Sequence, residues 1–273
     1  SETGCELLHQ QAGISLERIE VIYTGIDRKK FSTPDQDQRD KARLRLGLTD
    51  DSLTIGCVGS LTPVKNHELL LRAFAILLQT PGQEANLVFT GDGPCRSSLG
   101  ELAKHLGIEA YVTWLGHSEQ VASQLAALDV YVCCSHSEGV SNAMLEAMAC
   151  GLPVVTTDVG DHRLIVRDGI DGLVLNETSV DAMAETLIRL SLSRALRESL
   201  GSSARERTVR FDISRMVATY EGFYRRCLPM TSSKQVSKSS KVLIRHEKSC
   251  PVVEVAGSAK YVTTSGNGKP TLM

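Results

Sequence analysis

Two carboxylates and one ammonium carry the chemistry this chain can do. Glu138 and Glu146 lie in the run Ser135-His136-Ser137-Glu138-Gly139-Val140-Ser141-Asn142-Ala143-Met144-Leu145-Glu146-Ala147-Met148-Ala149-Cys150-Gly151-Leu152-Pro153. Glu146 is the only charged residue between Ala143 and Cys150. A helix apolar nearly all round is a buried helix, and a lone buried carboxylate is costly unless something bonds it. Glu146 therefore either pairs internally, with an arginine or backbone amides, or faces a polar ligand. Glu138 precedes the helix beside Gly139, where the free N–H groups of a helix start attract anions and phosphates above all. Lys65 stands just before another predicted helix, where a cation and free N–H groups can share a phosphate. Taken alone, such a lysine is more often a solvated side chain. Carboxylates suit hydroxyl donors, and a lysine with helix starts suits a diphosphate.

The elements around these residues are legible. A strand over Asp129 to Cys134 runs into the polar loop. The helix starts at Ser141 or Asn142 and ends at Gly151, a residue that tolerates the left-handed conformation. Pro153 blocks continuation and Val154-Val155 opens the next strand, which completes one βαβ step. On that helix Asn142, Glu146 and Cys150 share one stripe, and the small Ala143, Ala147 and Gly151 share another. Upstream, Leu53 to Gly59 is a buried strand that empties into Ser60 to His67, with Asn66 as the N-cap of a helix carrying Leu69, Leu70, Ala73 and Leu77. Asn86 to Gly91 is a strand with the turn Asp92-Gly93-Pro94 after it. Arg96 to Leu106 is a helix, Tyr111 to Gly116 a strand and Ser118 to Leu128 a helix. Val154 to Thr157 and Leu173 to Leu175 are further strands. Thr178 or Ser179 caps a helix with Met183, Leu187, Ile188 and Leu190, and charged helices fill Ser193 to Arg210. The last helix, Phe211 to Cys227, lines up Ile213, Val217, Tyr220, Phe223 and Tyr224. At the other end, Ser1 to Ala12 is a helix ended by Gly13, and Ile19 to Tyr23 is a short strand.

Strand and helix alternate at least five times, and the strands are near-continuous apolar runs. That pattern specifies an α/β fold, a Rossmann-like parallel sheet with helices on both faces. In such sheets ligands bind outside the carboxyl ends of the strands. Ser60 to Lys65, Asp92-Gly93, Leu115 to His117 and Glu138 to Asn142 all follow strands, so topology gathers them on one edge.

Composition narrows the partners. The chain has 273 residues and a net charge of −2, with 42% hydrophobic and 23% charged residues. Such a balance gives no basis for a nucleic-acid partner or an anionic membrane surface. No apolar run approaches the ~20 residues of a membrane span. The opening Ser1-Glu2-Thr3 is not a secretion signal. Eight cysteines are scattered without a Cys-x-x-Cys pair. Cys57, Cys133, Cys134 and Cys150 fall in core elements, which favours buried free thiols in a reducing compartment over disulfides or zinc. His136 lies near Glu138, within reach of a ligand.

The Glu-x7-Glu arrangement, followed by Ala-Met-Ala-Cys-Gly-Leu-Pro-Val, resembles the retaining GT-B glycosyltransferases of family four, the glycosyl transferases group 1. The resemblance runs from about Ile19 to Leu228 and covers the C-terminal, donor-binding half of such enzymes. It implies a nucleotide-sugar donor with Glu146 on the ribose hydroxyls and Glu138 on the sugar. Lys65, with the backbone of Gly139, Val140, Ser141 and Asn142, would neutralise the departing diphosphate. In the family an arginine accompanies the lysine; here Ser60 takes its place. Gly59, Asp92 and Gly93 match the diphosphate cradle, and Leu115, Gly116 and His117 the strand end beside the nucleobase. The family usually shows a second Gly and a Glu where this chain has Asp161 and Leu164, a departure expected to alter sugar or acceptor contacts.

The same resemblance divides the chain. Residues 1–34 would be a remnant of a first domain and the linker, 35–210 the donor domain, 211–228 the crossover helix and 229–273 a tail expected to be mostly disordered. The first domain, with the glycan or lipid-linked acceptor site, would be largely missing, leaving the stripe of the last helix partly exposed. No cofactor or metal is expected, because helix ends and Lys65 neutralise the diphosphate. The implied location is cytoplasmic, with peripheral attachment to the inner membrane face left open.

Other chemistries fit less well. A glycosidase places its two carboxylates across one bond, whereas here one precedes the helix and the other lies inside it. Gly139-Val140-Ser141-Asn142-Ala143 nearly spells a serine-hydrolase elbow, but a polar loop separates Ser141 from its strand and Ala143 replaces the second glycine. Gly59 does not open a Gly-x-Gly-x-x-Gly run, against a dehydrogenase. A nucleotide-sugar epimerase and a binding-only or inactive relative remain as alternatives.

Overall fold

Strands apolar on both sides need cover on both sides, and the order of elements provides it. A computed structural model describes residues 1–48 and 52–228, and beyond them the backbone of three short strands. The chain opens with helix α1 (Glu2–Ala12) and strand β1 (Ile19–Ile22). Helix α2 (Gln36–Arg45) begins in a capping box: Asp35 accepts from the Gln38 amide, and the Gln38 side chain accepts from the Asp35 amide. Five strand–helix steps follow. They are β2 (Leu53–Val58) with α3 (His67–Gln79), β3 (Ala85–Thr90) with α4 (Arg96–His105), and β4 (Val112–Trp114) with α5 (Val121–Leu125). Next come β5 (Val130–Cys133) with α6 (Asn142–Ala149), and β6 (Val154–Thr157) with α7 (His162–Ile165). Strand β7 (Leu173–Leu175) and helices α8 (Val180–Leu192), α9 (Arg194–Arg207) and α10 (Ile213–Cys227) close the run.

Strands β2 to β7 form one parallel six-stranded sheet in the order β4-β3-β2-β5-β6-β7. The order reverses between β2 and β5, which pair through Ile55 with Val130 and Gly56 with Tyr131. That reversal opens a crevice at their carboxyl ends, where ligands of open α/β sheets bind. One face is covered by α3, α4 and α8, with Leu70, Phe74, Leu77, Leu187 and Leu190 buried. The other is covered by α6, through Met144, Leu145 and Met148, together with Ile26 and Phe31 from the segment between β1 and α2. Each such side chain contributes about 1.5–3 kcal/mol on full burial.

The opposite ends of β2 and β5 are pinned. Buried Arg43 donates to the Ser52 and Ala127 carbonyls at 2.8 and 3.2 Å, and Asp129 accepts the Thr54 amide at 2.8 Å. With both strands anchored where they start, their exits are fixed in register.

Several local expectations need correction. The helix expected over Ser118 to Leu128 is only Val121–Leu125. Ser118 Oγ accepts the Gln120 amide instead, a side-chain turn that competes with helix. Tyr111 belongs to a 3-10 turn before β4. Asn66 precedes α3 but adopts φ 51° and makes no side-chain cap. The tail contributes β8 (Val252–Val255), parallel to β1, and the antiparallel pair β9 (Val262–Thr264) and β10 (Pro270–Leu272). The rest of the expectation for 229–273, including Lys241 to Arg245, lies outside the described residues. On α10, Phe223 is buried while Ile213, Val217 and Tyr224 are exposed. Among the described residues no helix is long and apolar enough to cross a membrane.

Candidate functional site

Three loops at the carboxyl edge are stitched together backbone to backbone. Gly59, with φ 158°, donates its amide to the Thr90 carbonyl at 2.9 Å. A Cβ on Gly91 would lie 1.9 Å from the Gly59 carbonyl oxygen, so no side chain fits there. Gly91 in turn donates to the Gly116 carbonyl at 2.8 Å. Leu61 donates to the Asp92 carbonyl at 2.9 Å, and the Asp92 carboxylate accepts the Gly93 amide at 2.7 Å. The loops after β2, β3 and β4 thus form one floor carrying Gly59, Ser60, Asp92, Gly93, Leu115, Gly116 and His117. Ser60 and His117 are exposed, and Leu115 is half-buried.

Lys65 ends a 3-10 turn that Pro63 starts. Its Nζ lies 2.5 Å from Glu138 Oε1. The other carboxylate oxygen, Oε2, accepts from Ser135 Oγ at 2.8 Å and faces Cys133 Sγ at 3.5 Å. Burial acts to raise the Glu138 carboxyl, but Lys65, Ser135 and the nearby His162 outweigh it, and the group sits below the ordinary carboxylate range. Its loop is held from several sides. The His136 amide donates to the Val64 carbonyl at 2.8 Å, and Thr157 Oγ1 donates to the Ser135 carbonyl at 2.7 Å. His136 itself is exposed.

Helix α6 starts immediately after this loop. Ser141 is its N-cap and accepts the Met144 amide at 3.4 Å. The earlier N–H groups of a helix lack intrahelical acceptors. Val140 and Ser141 are buried and Asn142 is exposed at the mouth. Glu146 lies about one turn further along, half-buried. Burial raises its pKa, with Lys30 acting weakly against. Among the described residues no ion pair or side-chain hydrogen bond includes Glu146, and the internal-pairing alternative is not met.

Sequence reasoning missed three residues that the structure brings to Glu138: Cys133, Ser135 and His162. Cys133 and His162 lie with Glu138 in one cluster whose ligand atoms fall within 4.8 Å of one another. His162 is fully buried, and that burial lowers its pKa. The available signal was topological, since the loop after β6 opens on the same edge as the loop after β5. Asp161 departs from expectation. It is fully buried and caps α1, accepting the Glu2 and Thr3 amides at 2.7 and 3.1 Å and Thr3 Oγ1 at 2.9 Å. Leu164 is exposed.

One concavity, 880 Å3, lies at the opposite edge and includes Arg39, Asp129, Arg194 and Glu198. Its charges pair with one another, Arg39 with Asp129 and Arg194 with Glu198. It has none of the stitched glycine loops, so the carboxyl-edge crevice remains the better candidate.

Residues 38–207 match the family model of the glycosyl transferases group 1. The chain belongs to that family. It is 34% identical over 197 residues to the D-inositol 3-phosphate glycosyltransferase of Actinosynnema mirum, covering 68% of this chain and 46% of that protein. It spans about half the length of the curated relatives it matches. Anabaena HepE, solved in complex with UDP-glucose, superposes with TM-score 0.75 at 25% identity, covering 83% of this chain and 62% of that one. The C-terminal domain of a group 1 glycosyltransferase, LpcC of Francisella tularensis, superposes with TM-score 0.62 at 24% identity. That match takes in 69% of this chain and all of LpcC's domain. The parallel sheet is thus the Rossmann-like C-terminal domain of the GT-B fold.

Proposed function

We propose that the carboxyl-edge crevice is the donor half-site of a retaining glycosyltransferase and takes a uridine diphosphate sugar. The observation that carries this reading is Lys65 paired with Glu138 at the β2–β5 reversal, with Glu146 unpaired along α6 among the described residues. Uridine is supported by the UDP-glucose bound to HepE.

In this reading the diphosphate lies between Lys65 and the start of α6, over Gly59, Ser60, Asp92 and Gly93. Lys65 leaves Glu138 for the phosphate, and the N–H groups from Gly139 to Asn142 take up the charge that develops as the diphosphate departs. Glu138, freed and still ionised, accepts hydrogen bonds from sugar hydroxyls and supports positive charge at the anomeric carbon. Glu146 accepts from the ribose hydroxyls, and Leu115, Gly116 and His117 flank the base. Attack and departure share one face, which retains configuration. Neutralisation by Lys65 and the helix start requires no metal in the transfer step.

The acceptor, a glycan or lipid-linked glycan in this reading, would be held by a facing domain, consistent with the share of its relatives that the chain spans. The exposed Val217 and Tyr224 of α10 supply an apolar surface for such a domain. A cytoplasmic site, with peripheral contact to the membrane, suits seven cysteines that are all free among the described residues.

Calorimetric titration with UDP, GDP and ADP, beside Glu146→Ala, tests the site. Saturable UDP binding weakened by the substitution is expected. No nucleotide binding by a cooperatively folded chain would overturn it. Ser60 in the place of the family arginine favours one second reading, a binding-only relative; release of UDP from UDP-glucose separates the two.

A further inference from the structure

A histidine declares its free nitrogen through the bond its other nitrogen makes. The ring of His162 is fully buried. Its Nδ1 lies 3.0 Å from the Thr157 carbonyl oxygen and 2.7 Å from Thr156 Oγ1. A carbonyl can only accept, so Nδ1 carries the hydrogen. Thr156 Oγ1 accepts from the same N–H and donates its own hydrogen to the Thr157 carbonyl at 3.3 Å. This tautomer leaves Nε2 a bare lone pair, and Nε2 is buried without any hydrogen-bond partner among the described residues. Orphaned buried polar atoms are uncommon in folded proteins. Here the orphan belongs to a ring that is grouped with a thiol and a carboxylate.

We infer that Cys133, Glu138 and His162 form a binding site for a zinc-class divalent cation, whose occupancy blocks the use of Glu138 by a sugar donor. One ligand atom from each residue falls within 4.8 Å of the others. Sulfur, carboxylate oxygen and imidazole nitrogen are all zinc ligands, and three protein ligands leave a fourth position for water or an anion. A backbone carbonyl on Nδ1–H is the usual outer support of a ligating histidine. The carboxylate oxygen concerned is Oε2, since Cys133 Sγ faces it at 3.5 Å while Lys65 holds Oε1. Binding forms a metal–sulfur bond as Cys133 loses its thiol proton to solvent. Ligand distances of ~2.0–2.3 Å require the three groups to close in by side-chain rotation.

The cation is an inhibitor in this scheme and takes no part in transfer. The metal site does not depend on the donor reading. Only its competition with a nucleotide sugar does.

Cobalt(II) is the probe, added to the reduced 273-residue chain after chelator treatment. One equivalent should bind with a near-ultraviolet thiolate-to-cobalt band. Cys133→Ser should abolish the band, and Glu138→Gln and His162→Gln should weaken binding at least about tenfold, with far-ultraviolet circular dichroism unchanged. Glu138→Gln guards against misfolding of the two buried variants, because its side chain reaches the surface. Absence of the band, or a band that survives in Cys133→Ser, overturns the site. In a separate arm, zinc should raise the apparent dissociation constant for UDP-glucose progressively as its occupancy rises. Cobalt binding without that competition would keep the metal site and overturn its inhibitory role.

Discussion

Lys65 and Glu138 are 73 residues apart in sequence and 2.5 Å apart in space. Neither is held by its own element alone. Lys65 ends a 3-10 turn after β2, and Glu138 lies in the loop after β5. The pair forms because β2 and β5 are neighbours at the reversal of strand order. In the proposed function it is the resting state of the site, and a donor phosphate must replace Glu138 as the partner of Lys65.

Replacing the lysine tests that exchange. Lys65→Ala should lower UDP affinity by about 10–100-fold, the worth of a charge-assisted hydrogen bond of about 1.5–3 kcal/mol. Calorimetry measures it. Glu138→Gln should leave UDP affinity within a few-fold and abolish the preference for UDP-glucose over UDP. Equal losses in both variants would count against the division of roles.

The pair also sets a pH dependence. The folded Glu138 carboxyl lies below its ordinary value of 4.5, with burial opposing and Lys65 prevailing. A depressed acid contributes stability above its unfolded pKa and loses it as pH falls through the folded value. The difference in melting temperature between wild type and Glu138→Gln should therefore be constant at neutral pH. It should narrow as pH drops below about 4.3. Thermal scans from neutral to acid pH follow it, and a gap that widens in acid contradicts the assignment.

Glu146 should behave in the opposite sense. Burial raises its carboxyl against a weaker pull from Lys30, and among the described residues no hydrogen-bond partner compensates. A raised acid destabilises the fold once pH passes its unfolded pKa and it must ionise in place. Glu146→Gln is expected to raise the melting temperature at neutral pH while weakening UDP. A substitution that lowers both would show that the carboxylate supports the fold.

Gly160 sets how closely two loops approach. It holds φ 52°, and a Cβ there would lie 1.7 Å from the Glu138 carbonyl oxygen. Gly160→Ala should cost about 1–3 kcal/mol in backbone strain and displacement, or several degrees in melting temperature. UDP-glucose affinity should fall further than UDP affinity, because the displaced loop carries Glu138.

Ser60 offers a gain. It is exposed at the end of β2, uncharged and beside the Lys65 loop. Ser60→Arg supplies a bidentate phosphate donor and should tighten UDP binding up to about tenfold, as calorimetry would show. Unchanged affinity would mean that the phosphate lies beyond reach of this position.

The sequence by itself determined the α/β class, the parallel sheet and the edge where chemistry gathers. Those follow from local signals: apolar runs such as Val154 to Thr157, the Ser141 cap, Pro153 after Gly151, and strands that alternate with helices. It also marked Lys65, Glu138 and Glu146, because a charged residue in an apolar or glycine-rich setting stands out without coordinates. Local signals misjudged α5, where the Ser118 side chain captured an amide, and Asn66, whose left-handed backbone prevents a side-chain cap. Only the tertiary structure decided who meets whom. It paired Lys65 with Glu138, left Glu146 without a partner among the described residues, turned Asp161 toward the amides of α1 and set His162 beside Cys133. Contacts of that kind join residues on separate strands. They depend on strand order and register, which sequence periodicity does not encode.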